Sequence, residues 1–145
     1  MPNNNQNKGK QQNNIPNNQE DILNAQTASI LLNPQKDADG KLLFEIAEKV
    51  GKRIKDDGVT VSQIRKIYSE VRKLEYDEKR EYQYNLRLIK AQIGYTAGRF
   101  SKLKNFKNVF DILIQETLKG DKTELKRFKD FFEAVIAYHK AYGGN

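Results

Sequence analysis

Thr60-Val61-Ser62-Gln63-Ile64-Arg65-Lys66-Ile67-Tyr68-Ser69-Glu70-Val71-Arg72-Lys73-Leu74 is the stretch on which the fold turns. Thr60 and Gln63 have the spacing of a capping box, in which each side chain satisfies a backbone N–H that the first turn of a helix leaves open. Ile64, Ile67, Tyr68, Val71 and Leu74 then recur at helical period, so one face is apolar and the other charged. The pattern predicts an amphipathic helix. Just upstream, Asp56-Asp57-Gly58 stops an earlier helix whose apolar face is Leu43, Ile46, Ala47, Val50 and Ile54.

The same period continues downstream. Leu86, Ile89, Ile93, Ala97 and Phe100 mark a third helix, and Phe106, Val109, Phe110, Leu113 and Leu118 a fourth that ends at Gly120. A fifth starts near Asp121-Lys122-Thr123 and runs through Leu125, Phe128, Phe132, Val135, Ile136 and Tyr142 to Gly143-Gly144. No stretch alternates with period two, and the connections are short. Neighbouring helices therefore fold back on each other. The expected fold is all-α, a compact bundle of about five helices over residues 38–145.

Residues 1–37 read as a disordered polar tail. The first 24 hold nine Asn and four Gln with almost nothing apolar, too little to offset the entropy of ordering them. Ala28-Ser29-Ile30-Leu31-Leu32, closed by Asn33-Pro34, is a small apolar patch that either docks onto the domain or begins a short helix.

Charge narrows the function. The 145 residues carry 26 Lys+Arg against 19 Asp+Glu, a formal +7. Basic and acidic residues cancel over the first 38, so the excess sits on the helical part as 23 minus 16. Between Glu81 and Asp111 there is no acidic residue, while Arg87, Lys90, Arg99, Lys102, Lys104 and Lys107 are all basic. Such a run suits a polyanion, with nucleic acid the first to consider, or it is an ordinary solvated helix face. The absence of cysteine excludes disulfides and thiolate metal sites. No apolar run approaches a membrane span, and the N-terminus lacks a signal-peptide pattern, so a soluble cytoplasmic protein with no membrane partner is expected.

Catalytic groups are scarce. The single histidine, His139, falls in the apolar stripe with Phe132, Val135 and Ile136, where a core or interface role is expected. The carboxylate pairs Asp56/Asp57 and Asp130/Glu133 look like helix-end and helix-surface residues, and neither has the third ligand of a metal-dependent nuclease. The reading is no enzyme, no cofactor and no metal.

Two stripes offer binding surfaces instead. Arg87, Lys90, Gly94, Gly98 and Ser101 align on the third helix, placing cations beside bare backbone that a phosphate chain can approach. The same glycines equally suit a close helix–helix contact. Ser62, Arg65, Ser69 and Arg72 align on the second helix, joining hydroxyls to guanidinium forks that match phosphate oxygens, or else a solvated face with pairs such as Arg72 with Glu75. Neither stripe has the cluster of side chains needed to read base edges, so recognition by backbone and shape is expected.

Three blocks together carry a resemblance: Thr60-Val61-Ser62-Gln63-Ile64-Arg65-Lys66-Ile67-Tyr68, then Gly94-Tyr95-Thr96-Ala97-Gly98-Arg99, then Phe131-Phe132-Glu133-Ala134-Val135-Ile136-Ala137-Tyr138-His139-Lys140-Ala141-Tyr142. In order and spacing they resemble the small subunit of the type III-A CRISPR interference (Csm) complex, from about residue 40 to the end. The resemblance implies a non-catalytic helical subunit, present in several copies along a ribonucleoprotein filament, lining the channel for guide RNA and target RNA beside the backbone and large subunits. Target cleavage is then assigned to the backbone subunit, and DNA cleavage and cyclic oligoadenylate synthesis to the large one. By position in these blocks, Arg65, Lys66, Arg99 and Lys140 are the implied RNA contacts. Lys52 and Arg53 join them by charge alone, and Arg72, Arg87 and Lys90 by the two stripes.

Two rivals stand beside this reading. Asp56-Asp57-Gly58-Val59 and the helix after it also pass for a helix-turn-helix DNA-binding motif, although Gln63 is the one obvious base reader. A structural helical adapter meeting an acidic protein is the other.

Overall fold

The computed structural model describes residues 22–145. Its elements are α1 (Ala25–Leu31), α2 (Lys41–Asp56), α3 (Val61–Lys73), α4 (Glu81–Arg99), a 3-10 turn (Ser101–Leu103), α5 (Lys104–Leu118) and α6 (Lys122–Ala141). The all-α reading holds, and the five helices anticipated after residue 38 are α2 to α6. The sequence locates their ends through side chains. Gln63 Oε1 accepts the Thr60 N–H at 2.9 Å to open α3, and Glu124 Oε1 accepts the Asp121 N–H at 2.8 Å to open α6. Gly58, at φ 86°, makes the left-handed turn after α2 that a residue with a β-carbon resists.

The broadest interface is α2 against α6. Gly51 permits it: a β-carbon there would lie 2.8 Å from Tyr138 Cβ and 2.9 Å from both Val135 O and His139 N. At the end of this seam His139 is fully buried, with Nε2 2.7 Å from Val59 O. The α5 helix touches α1, α2, α4 and α6. Its Phe106 and Phe110 meet Phe132 of α6 at ring-centroid distances of 5.9 and 4.6 Å, while Tyr68 of α3 stacks on Phe132 at 5.8 Å. These rings form the centre of the core.

Residues 22–37, assigned above to the polar tail, pack on the bundle instead. Asn24 Oδ1 accepts the Thr27 N–H at 2.8 Å and caps α1, and Leu23, Ala28, Leu31 and Leu32 are buried. The patch at 28–32 thus both forms a helix and docks, chiefly on α5. Four apolar side chains suffice because the bundle supplies a ready surface for them. The expectation of disorder over residues 1–21 lies outside the described residues.

At the entry to α4 the N-cap residue itself supplies no side-chain bond. Arg80 takes φ 64°, and Asp77 reaches forward to accept the N–H groups of Glu81 at 3.0 Å and Tyr82 at 3.1 Å. These bonds, led by that from Glu81, hold the Asp77 carboxyl below its ordinary range.

Candidate nucleic-acid interface

A groove of about 660 Å³ runs between α3 and α4. Its basic residues are Lys66 from α3 and Arg99 from α4, and Ser62 and Thr96 add hydroxyls. Ile67, Leu88, Ala91 and Phe100 line it with apolar surface. The two helices place these residues here because their buried stripes pack inward. Ile64, Ile67 and Val71 of α3 and Leu86, Ile89 and Ile93 of α4 are all buried, which turns the charged positions outward.

Of the anticipated contacts, the groove brings together Lys66 and Arg99. Arg65 stands exposed next to Lys66 on α3. Arg72 lies with its guanidinium 5.5 Å over the Tyr68 ring, and the pair with Glu75 that would mark a merely solvated face does not form. Arg87 is exposed on α4, whereas Lys90 is half-buried with Nζ 3.3 Å from Gln115 Oε1 of α5. The other three stand on the α2–α6 edge. There Lys52 pairs with Asp56 at 3.1 Å and sits 5.9 Å over the Tyr142 ring. The Lys52 hydrogen bond holds the Asp56 carboxyl below its usual range. Arg53 is half-buried and Lys140 exposed. Among the described residues, Arg65, Lys66, Arg72, Arg87, Arg99 and Lys140 form no ion pair.

The glycine pair is now decided as far as this chain goes. Among the described residues a β-carbon at Gly94 or Gly98 would meet nothing within 4 Å, so none of the described helices packs there. That face of α4 presents open backbone beside Arg87.

The acidic residues have local roles. Asp57 accepts from Asn105 Nδ2 at 2.9 Å, and Asp130 pairs with Lys126 at 2.7 Å. Two cations near Asp130 are structural: Arg127 donates to Leu31 O at 3.2 Å and Asp37 O at 2.8 Å, and Lys129 donates to Leu74 O. Gln63 also has a local task, since its Oε1 closes the α3 cap.

Sequence reasoning passed over three residues of the groove. Leu88 and Tyr95 are 48% and 69% exposed, and Gln92 Oε1 is shut off from solvent with no hydrogen-bond partner. An unmet acceptor of this kind costs about 1–3 kcal/mol. The signal was present in the sequence: Tyr84, Leu88, Ala91 and Tyr95 repeat at helical spacing opposite the buried stripe, so α4 is apolar on two faces.

The family model described as Csm2 Type III-A matches residues 37–145. The chain belongs to that family. It is also 37% identical over 93 residues to a protein of Streptococcus thermophilus named CRISPR system Cms protein Csm2, which covers 59% of this chain and 74% of the relative. No solved structure matches. Family membership makes this chain a small subunit of a type III-A Csm complex, and the matched residues span α2 to α6. Among the described residues no helix is long and apolar enough to cross a membrane.

Proposed function

We propose that this chain is a non-catalytic subunit that holds RNA by its sugar–phosphate backbone inside a cytoplasmic type III-A CRISPR ribonucleoprotein acting in antiviral defence. Several copies stack beside the backbone and large subunits, and each contacts the target RNA or the guide–target duplex. The observation that carries this reading is the set of exposed cations without ion pairs on α3 and α4, Arg65, Lys66 and Arg99, of which Lys66 and Arg99 line one groove, together with the open backbone of Gly94 and Gly98 on another face of α4. Sequence is then read by base pairing and shape by protein.

Magnitude favours multiple copies. One subunit neutralising ~3 phosphates of a single strand has a log–log salt slope of only about −2. Copies fixed along one RNA act at high effective concentration and bind far more tightly. The helix-turn-helix alternative loses its reader, because Gln63 caps its own helix.

The test is the double variant Lys66→Glu/Arg99→Glu in the assembled complex, with affinity for two scrambled-sequence targets measured across salt concentrations. Both targets should be weakened equally, with a flatter salt slope, because phosphates carry no base information. Wild-type affinity for both would sink the assignment and favour a structural adapter. Selective loss of one target would point to base reading.

A further inference from the structure

The groove between α3 and α4 is poorly explained by phosphate contacts alone. Its cations, Lys66 and Arg99, suit an anion, yet its walls are Ile67, Leu88, Ala91 and Phe100, which do not. Tyr95 stands in it with 69% of its surface exposed, and Gln92 Oε1 beside it has no donor. A matching ligand has a flat apolar face, a polar edge able to pair with an amide, and negative charge on either side. That is a nucleotide within a strand.

We propose that this groove takes one unstacked nucleobase of the bound RNA. The base stacks on the Tyr95 ring, and its edge pairs with the Gln92 amide once that amide rotates about its last torsion. Lys66 and Arg99 hold the flanking phosphates. Stacking on an aromatic ring is available to every base, so the site adds affinity without strict sequence preference. A carboxamide presents one acceptor and two donors, which serves the edge of uracil (N–H beside C=O) as well as that of adenine. The site rests on the RNA-binding reading, since an isolated base would lack the phosphates that the two cations address.

The experiment uses the isotope-labelled full chain and two probes, a uridine hexanucleotide and the matching abasic ribose–phosphate hexamer, followed by NMR titration. The uridine probe should move the Gln92 side-chain amide and Tyr95 ring signals and bind about tenfold more tightly than the abasic one. Tyr95→Ala, an exposed position whose loss leaves the core intact, should erase that difference. Equal binding of both probes with Gln92 and Tyr95 unmoved would overturn the base site while leaving backbone binding in place. Movement of these two signals by millimolar uridine monophosphate, with neither hexamer binding, would keep the site and remove the RNA reading. No response to any of the three would remove both.

Discussion

Arg127 and Asp37 form an ion pair across 90 residues of sequence, with Nη1 3.4 Å from Oδ2 and side-chain exposures of only 14% and 6%. The Asp37 carboxylate also accepts the N–H groups of Leu42 at 2.9 Å and Leu43 at 3.0 Å, so it caps α2 while Arg127 ties that cap to α6. One pair thereby fixes the segment after α1, the start of α2 and the second turn of α6.

Removing the arginine should therefore be costly. Arg127→Ala leaves Asp37 buried without its countercharge and is expected to lose about 3 kcal/mol in denaturant unfolding. Lys126→Ala, one residue away, breaks the exposed pair with Asp130 and should change stability by less than about 1 kcal/mol. Equal effects would show that the Arg127 pair is no more than a surface contact.

The N-terminal boundary gives a second expectation. A chain starting at residue 22 should melt like the full chain. One starting at residue 33 loses Leu23, Ala28, Leu31 and Leu32 from the core. Each buried leucine is worth at least 2–3 kcal/mol, so the midpoint should fall by about 15 °C or more. Circular dichroism melts of the three chains decide it. An unchanged midpoint for the shorter chain would mean that α1 adds nothing to the fold.

Acid should find the α4 cap. The Asp77 carboxyl is held below its ordinary value of 3.8 by the Glu81 and Tyr82 N–H groups. A depressed pKa gives stability that is complete above the unfolded value and disappears as pH falls through the folded one. Wild type should exceed Asp77→Asn in melting midpoint at neutral pH, and the gap should close below pH 3.8. A gap that persists at low pH would show that the ionised carboxylate is not what caps the helix.

The parts legible in the sequence are those with local causes. Thr60 with Gln63 opens α3, and the period of Leu43, Ile46, Ala47 and Val50 defines the buried face of α2, because capping and amphipathicity act over a few residues. Arg127 looks like a surface residue in its own helix, since its partner is 90 residues away. The tail boundary was misplaced for the same reason: α1 is held by surfaces on distant helices. At the candidate interface the outward placing of Arg65, Lys66 and Arg99 followed from periodicity. The groove depends on which faces of α3 and α4 meet, and that is a tertiary fact.

Glycine makes the last expectation, because among the described residues the local motif Gly94-x-x-x-Gly98 packs against nothing and the lone Gly51 packs on α6. A β-carbon at Gly51 meets backbone of α6 that cannot move aside, so Gly51→Ala should separate α2 from α6 and cost about 2 kcal/mol. Gly94→Ala and Gly98→Ala meet open space on a helix and should each stabilise the isolated protein by about 0.5–1 kcal/mol. If RNA lies against that bare backbone in the complex, the more stable double variant should bind it less tightly, since two methyl groups hold the strand away. Denaturant unfolding of the free chain and RNA affinity of the assembled complex then move in opposite directions. A gain in stability with unchanged affinity would show that the open face of α4 is not where RNA lies.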